Sequence, residues 1–269
     1  MLEHWLLAHE PQIRLGAFAL LFVLIAAWEW WLPCRRLALS RLLRWGNHLA
    51  LVVLNSLLLR LLFPAAAVGM ASWAQQQQLG LFNQFEMPLW LGLPVAVVLL
   101  DLAIYWQHRL FHRIPLFWRL HRVHHADPDF DLTTALRFHP LEILLSMTIK
   151  WLVVVALGPP LLAVLLFEVI LNGMAMFNHA NAALPGRLER RLRALLVTPD
   201  MHRIHHSSAN AEMHSNFGFN LSVWDRWFGS YVAQPQQPQH SMQIGLPAPR
   251  APRQTSWLSG ILRLPFQRF

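Results

Sequence analysis

The 269-residue chain is 55% hydrophobic and only 13% charged, a composition that excludes an ordinary soluble domain. Its net charge of +8 comes almost entirely from arginine, because Lys150 is the only lysine, and arginines flanking apolar segments explain this excess better than nucleic-acid binding does. The single cysteine, Cys34, excludes an internal disulfide and a cysteine-based metal site.

Five apolar segments are long enough to be considered as membrane spans. In chain order they cover residues 13–31, 48–70, 88–106, 141–157 and 161–177. The first is not followed by the small-residue cleavage site of a signal peptide, so we predict a retained span. Glycine and two prolines at 158–160 separate the last two segments and predict a tight hairpin, which either crosses the bilayer or re-enters from one face.

The arginines between these segments predict an orientation in the membrane. Residues 35–44 contain four arginines and the segment after the third span contains four more, whereas residues 71–87 contain neither Lys nor Arg. The positive-inside rule therefore places the two arginine-rich connections in the cytoplasm. The compact, lysine-poor chain further suggests a bacterial inner membrane.

Three histidine clusters are the most informative motifs of the chain. Side chains three or four positions apart share one face of a helix, so each cluster directs two or three imidazoles at one point. Neutral imidazole binds iron, copper, zinc and nickel, and the number of rings predicts a polynuclear metal site. A further histidine at the end of the hairpin is a ninth predicted ligand. The nine residues are His108, His112, His121, His124, His125, His179, His202, His205 and His206.

Three other residues are candidates for supporting this site. We expect Asp101 either to orient a ligand imidazole from a neighbouring helix or to bond Tyr105 or Trp106 inside the bundle. Asn172 bonds a metal-bound water or serves as a helix-packing amide. His139 precedes the hairpin and is either a ligand or a supporting residue.

We expect most of the polar residues outside the clusters to have structural roles. Asp127, Asp129 and Asp131 follow the second cluster, and we expect two of the three to cap a helix or face solvent rather than orient ligand rings. The histidines without partners at ligand spacing are expected at surface or interfacial positions. They are His4, His9, His48, His214 and His240.

These segments predict an all-α fold, an integral membrane helical bundle with a cytoplasmic histidine-rich di-metal cap. Residues 1–87 form a two-span membrane anchor, and residues 88–231 form the catalytic domain with every histidine cluster. Residues 232–269 read as an extended, mobile Pro/Gln-rich tail. The end of that tail either lies on the membrane surface or is disordered.

The motifs HRLFH, HRVHH, RFHPLE, NHAN and TPDMHRIHHS, followed by SNFGFNLSVWDRWFGSY, resemble the fatty acid hydroxylase and sterol desaturase superfamily over about residues 95–232. The resemblance implies an integral membrane enzyme with a di-iron centre held mostly by histidine, which hydroxylates or desaturates a lipid with O2 and two electrons. It assigns iron ligation to the nine histidines named above. One departure is His214, since relatives often have an acidic residue there and a tyrosine in place of Phe217.

The sequence contains no Rossmann glycine fingerprint and no haem or iron–sulfur motif. We therefore predict a separate electron donor (a ferredoxin, cytochrome or reductase) that docks on the arginine-rich cytoplasmic face. Two alternatives remain open, a zinc-dependent membrane hydrolase and a metal transporter. The sequence alone leaves open the lipid, the carbon that reacts and the choice between hydroxylation and desaturation.

Overall fold

The computed structural model describes residues 2–63, 65–85 and 87–268, and over these residues the chain is helical with turns and isolated bridges but no strand. This confirms the all-α prediction. Pro64 in the predicted second span and Glu86 in the following loop lie outside the described residues, as do the two terminal residues.

The helices, in chain order, are α1 (Leu2–Ala8), α2 (Glu10–Trp31), α3 (Arg41–Leu62), α4 (Ala67–Gln76), α5 (Leu89–Arg113), α6 (Pro115–His125), α7 (Pro140–Leu157), α8 (Leu161–Asn178), α9 (Gly186–Arg193), α10 (Pro199–His205), α11 (Asn210–Met213), α12 (Val223–Trp227), α13 (Pro252–Thr255) and α14 (Leu258–Arg263). Short 3-10 turns cover Leu81–Asn83, Thr134–Leu136 and Leu264–Phe266.

Among the described residues, five segments, which contain α2, α3, α5, α7 and α8, are long and apolar enough to cross a membrane, so the chain is an integral membrane protein. The predicted second span differs in its bounds. Helix α3 begins at Arg41 and ends at Leu62, and α4 is a separate helix. Phe63 already has non-helical dihedrals, as expected of a residue that precedes proline in the sequence.

The hairpin of α7 and α8 runs the length of the bundle. Each helix has 18 residues, or about 27 Å at 1.5 Å per residue. Its turn reaches the end of the bundle where α5 begins, because Pro160 lies beside Gly92. Gly158 has a left-handed φ of 60°, and a Cβ atom there would lie 2.4 Å from the carbonyl oxygen of Leu79. Only glycine permits this close contact between the turn and the loop before α5.

The opposite end of the bundle collects the C-terminal ends of α2, α5 and α8. Glu29, near the end of α2, accepts hydrogen bonds from the backbone N–H groups of Leu132 (2.7 Å) and Asn181 (2.8 Å). His108 lies near the end of α5 and His179 directly follows α8. The segments that carry the histidines therefore meet at one end of the bundle.

The tail after residue 231 differs from the expected mobile segment. Much of it is irregular, but Met242, Ile244 and Leu264 are almost fully buried. Gly245 donates a hydrogen bond from its N–H to the carbonyl oxygen of His206 (3.0 Å). Apolar residues at irregular spacing anchor the tail against the histidine-bearing segments, and its proline- and glutamine-rich composition obscured them.

Candidate metal centre

The nine predicted ligands come together in two adjacent buried groups. In each group, one ligand atom per residue lies within 4.8 Å of those of all the others. The groups are adjacent, because the rings of His125 and His206 stack with centroids 4.5 Å apart. The first group is His108, His112, His121, His125 and His205, and the second is His124, His179, His202 and His206.

Short helices place the ring nitrogens of the second group around one point. His124 lies in the last turn of α6, while His202 lies in α10 and His206 directly follows that helix. The Nε2 atom of His179 lies 3.0 Å from that of His202, 3.1 Å from that of His124 and 3.2 Å from that of His206. Nitrogens bound to one ion at about 2.1 Å would be about 3.0–3.4 Å apart, so this spacing fits a shared metal.

Hydrogen bonds at Nδ1 fix which nitrogen of four rings is free to bind a metal. His108 donates to the carbonyl oxygen of Phe217 (2.9 Å), His205 to that of Ser215 (2.6 Å) and His179 to that of Ala175 (2.7 Å). In each case Nδ1 carries the proton, because a carbonyl oxygen can only accept, and the Nε2 lone pair faces the group. Ligand histidines in metalloproteins are oriented in this way.

A carboxylate performs the same task for the fourth ring. The Nδ1 atom of His121 lies 2.6 Å from Oε1 of Glu142, in the first turn of α7, and both side chains are buried. The Nε2 atom of His121 has no hydrogen-bond partner among the described residues. Glu142 therefore orients His121 with its lone pair towards the first group.

Buried ring nitrogens without hydrogen-bond partners indicate that the histidines are arranged to bind a metal and not to form hydrogen bonds with one another. Buried polar atoms normally have partners, since an unpaired buried group costs about 1–3 kcal/mol. Within the described chain, eight buried ring nitrogens have none: His112 Nε2, His121 Nε2, His124 Nδ1, His125 Nδ1 and Nε2, His202 Nδ1, His205 Nε2 and His206 Nδ1. Several of these face the groups, and coordination would satisfy those nitrogens.

The electrostatics of the site keep the rings neutral. Burial lowers the pKa of His121 and of His179 to about 3. Burial and then the neighbouring rings lower the pKa of His125, His202 and His206 well below the usual value. Neutral imidazole is the form that binds a metal, so the site has lone pairs available at pH 7.

Asp101 acts on a loop and not on a ligand ring, which corrects the predicted contact with an imidazole. Its carboxylate accepts hydrogen bonds from Trp224 Nε1 (2.8 Å) and from the N–H groups of Leu221 (3.1 Å) and Asn220 (3.2 Å). Tyr105 and Trp106, the alternative partners predicted from the sequence, are not among the hydrogen-bond donors to Asp101 in the described residues. Position 101 lies about two helical turns before His108, at the level of this loop rather than of the rings.

A second aspartate holds the part of the loop that contacts the histidines. Asp225 accepts hydrogen bonds from the N–H groups of Phe217 and Gly218, both at 2.7 Å. A Cβ at Gly218 would lie 2.7 Å from the Asp225 carboxylate, so glycine lets the carboxylate approach the backbone. Because the carbonyl oxygen of Phe217 accepts from His108, Asp225 positions a ligand indirectly.

A buried ionic network fixes the loop after the second cluster and corrects the expectation of solvated aspartates. Arg44 donates to both oxygens of Asp127 (Nη2–Oδ2 2.6 Å, Nε–Oδ1 3.2 Å) and forms a short ion pair with Asp131. Asp129 accepts from the N–H groups of Ala38 and Leu39 instead. Burial alone would raise the pKa of Asp127, but the guanidinium of Arg44 lowers it below its usual range.

Of three histidines outside the nine, His48 differs from prediction because it is buried, whereas His139 has a structural role and His214 is exposed as expected. His139 caps α7: its Nδ1 accepts from the N–H of Leu141 (3.2 Å) and its Nε2 faces the carbonyl oxygen of Leu262 (3.3 Å), so it is not placed as a ligand. His48 is fully buried, with Nδ1 2.9 Å from Thr133 Oγ1. His214 is exposed, but its Nδ1 lies 3.2 Å from that of His112, at the edge of the first group.

A cavity of about 320 Å³ leads from the histidines into the helices of the bundle. Side chains of α3, α5, α7 and α8 line it, and His108, His121, His124 and His202 lie on its wall. Asn172 is exposed to this cavity, and its predicted bond to a metal-bound water stays a prediction. The cavity has the size of a small-molecule site and opens beside the metal-binding groups.

Sequence reasoning missed the buried charged residues that support the histidines and the segments next to them. Glu142 was visible in the motif RFHPLE as an acid in a membrane-length helix, which is a signal for function. Glu29 and Arg44 gave a similar signal, because each is a charge within an apolar helix. Sequence spacing cannot predict their contacts with residues about a hundred positions later in the chain.

Comparison of the chain with known proteins finds a matching family and several relatives. The model of the family "Fatty acid hydroxylase" matches residues 93–230, slightly more than half of the chain and within the predicted catalytic domain. An ornithine lipid hydroxylase OlsE of Rhizobium tropici is 28% identical over 188 residues, 68% of this chain. Alkylglycerol monooxygenases of Xenopus tropicalis and Homo sapiens are each 30% identical, over 51% and 50% of this chain.

The match covers only part of these relatives. The chain spans 54% of the Rhizobium tropici protein and 30% and 29% of the two monooxygenases. No solved structure matches the chain.

Proposed function

Because the chain belongs to the fatty acid hydroxylase family, we propose that it is a membrane-bound, non-haem di-iron oxygenase that hydroxylates or desaturates a lipid with O2 and external electrons. One observation carries the proposal: nine buried histidines form two adjacent groups of metal-binding geometry beside a cavity that runs between membrane helices. Two irons held there would supply the O2 chemistry that side chains lack.

The nine histidines are proposed as the ligands, five for one iron and four for the other. The protein contributes orientation and a dry environment. Phe217, Ser215 and Ala175 accept the Nδ1 protons of three rings through their carbonyl oxygens, and Glu142 accepts that of His121. The cavity would hold a hydrocarbon chain against the rings and exclude water from the reacting carbon.

The geometry does not favour the two alternative functions. A catalytic zinc uses three protein ligands and one open position, whereas five and four rings gather here. Transport sites lie near the middle of the bilayer, whereas these rings lie at the ends of α5 and α8. Neither a zinc hydrolase nor a transporter explains this arrangement.

Metal and product analysis test the function together. Purified chain is expected to contain two irons, and cells that express it under 18O2 are expected to accumulate a lipid with one 18O atom or one additional double bond. A variant with His179→Ala and His205→Ala should lose the metal and the product. Zinc in place of iron, or a lipid profile identical to that of the double variant, would contradict the proposal.

We also propose a separate electron donor and a bacterial inner membrane, with the histidines on the cytoplasmic side. Arginine-rich residues 35–44, in the connection between α2 and α3 and the first turn of α3, lie at the histidine end of the bundle, which supports this orientation. Cys34, the only cysteine, lies in this connection. A membrane-impermeant maleimide should label it in inverted vesicles and not in spheroplasts, and NAD(P)H alone should not support turnover.

A further inference from the structure

The cavity beside the histidines also contains a positive charge that ligation does not use. Lys150, in the middle of α7, lines the same cavity as His121 and His124. Glu142, Ser146 and Lys150 recur every four residues, so they share the face of α7 that lines the cavity. Eight residues separate Lys150 from Glu142, which places it about 12 Å along the helix from the ligand-orienting carboxylate.

Lys150 belongs to a chain of four alternating charges inside the bundle. Its Nζ lies 2.8 Å from Oε1 of Glu168, whose Oε2 lies 2.9 Å from Nη1 of Arg14. Arg14 in turn pairs with Glu10 at 2.8 Å. Two acids and two bases leave no net charge, and charged residues at such positions in a membrane protein are costly and usually functional.

The position of Lys150 within this chain defines what it can bind. Its side chain is 20% exposed, whereas that of Glu168 is only 3% exposed. An ammonium group has three N–H donors, and Glu168 accepts from one of them. An anion placed here would be uncompensated, because the four charges already balance, and burial of an unpaired charge is costly. An uncharged oxygen would accept a hydrogen bond without that cost.

The cavity wall near Lys150 has both apolar and uncharged polar side chains, the latter including Ser146 and Asn172. Leu59, Ile104 and Leu171 line the cavity from α3, α5 and α8. They suit a hydrocarbon chain, which can extend from Lys150 towards the histidines. Lys150 is thus the only cation in the lining described for a largely apolar cavity that reaches the two histidine groups.

We propose that Lys150 binds an uncharged oxygen atom of the lipid substrate, such as a hydroxyl, ether, ester or amide oxygen. The inference rests on the proposed lipid oxygenase function and adds how the substrate is recognised. Lys150 is then a specificity-determining residue, because the oxygen that it binds fixes which carbon of the lipid reaches the histidines.

The test is competition binding to the purified chain in detergent, with tritiated 1-hexadecanol as the probe. Unlabelled 1-hexadecanol, hexadecane and palmitate are the competitors. The wild-type chain should prefer 1-hexadecanol to hexadecane by about tenfold, the value of one hydrogen bond to a charged group, and should not prefer palmitate to the alcohol. Lys150→Met should reduce the preference to within about twofold.

Two matched variants control for charge and folding. Arg60→Met removes the same charge at an exposed position of α3 outside the cavity and should retain the preference. Lys150→Gln keeps N–H donors and should retain part of it. In Lys150→Met, Glu168 keeps its pairing with Arg14, so no buried acid is left without a partner. If Lys150→Met does not fold, the wild-type chain and Lys150→Gln still decide the question.

A preference that persists in Lys150→Met, a wild-type chain that does not distinguish alcohol from alkane, or a preference for palmitate would each overturn the proposal. Binding requires neither metal nor electrons. Oxygenation without the alcohol preference would therefore contradict this inference alone, whereas the preference without oxygenation would contradict only the proposed function.

Discussion

Replacement of Arg44 by methionine should destabilise the segment that follows the second histidine cluster. Arg44 is fully buried on α3 and contacts the carboxylates of Asp127 and Asp131. It also donates to Thr134 Oγ1 at 3.1 Å. Methionine would fill part of the volume, but it would leave two buried carboxylates without the cation that pairs with both of them.

The expected loss follows from the asymmetry of buried ion pairs. Removing one partner of such a pair costs about 3–5 kcal/mol, because the remaining charge stays buried and uncompensated. Two acids face this arginine, so we expect the upper part of that range. The free energy of unfolding of a folded domain is typically only about 5–15 kcal/mol. The Arg44→Met variant should therefore lose a large share of it.

The assay is denaturant unfolding in detergent, with bound metal measured on the same samples. Arg36→Met is the matched control, because Arg36 is exposed in the connection between α2 and α3 and should change the free energy by less than about 0.5 kcal/mol. Adding Asp127→Asn and Asp131→Asn to the Arg44 variant should recover part of the loss. Equal stability of Arg44→Met and Arg36→Met would refute the reasoning.

Three further predictions concern the ligands and the far end of the bundle. Glu142→Gln should weaken metal retention by about 10–100-fold against a chelator, since it weakens the hydrogen bond that orients His121; unchanged retention would argue against this role. The folded pKa of His121 and His179 is lowered to about 3, so below pH 6.5 the unfolded chain binds more protons. The metal-free chain should therefore keep its free energy of unfolding above pH 6.5. As the pH falls from 6.5 towards 3, each such ring should lower that free energy by about 1.4 kcal/mol per pH unit. Equal free energies of unfolding at pH 7 and pH 5 would contradict this prediction. Gly158→Ala should lower the free energy of unfolding by about 1–3 kcal/mol, because Gly158 has a left-handed backbone and a close contact with Leu79. Gly16→Ala is the control and should not destabilise the protein, because Gly16 has open space around it. A similar effect of both substitutions would exclude the tight turn as the cause.

The sequence was sufficient where the signal is local. The lengths of the apolar segments and the glycine–proline turn at 158–160 predicted the membrane helices and their hairpin, because a span needs about 20 apolar residues in a row. Helical spacing also singled out the nine histidines that the structure gathers, since residues three and four apart share a face. Asp101 lies at helical spacing from His108, but its hydrogen-bond partners are in a loop.

Only the tertiary structure decided which buried charges hold the segments next to those histidines. Glu29 contacts Leu132 and Asn181, and Arg44 contacts Asp127, over separations of about 80 to 150 residues. The reason is physical: covalent geometry fixes which side chains share a helix face, whereas the pairing of buried charges depends on which helices pack together. Glu29 and Arg44, in the predicted anchor, therefore hold the segments that follow His125 and His179 only once the helices have packed.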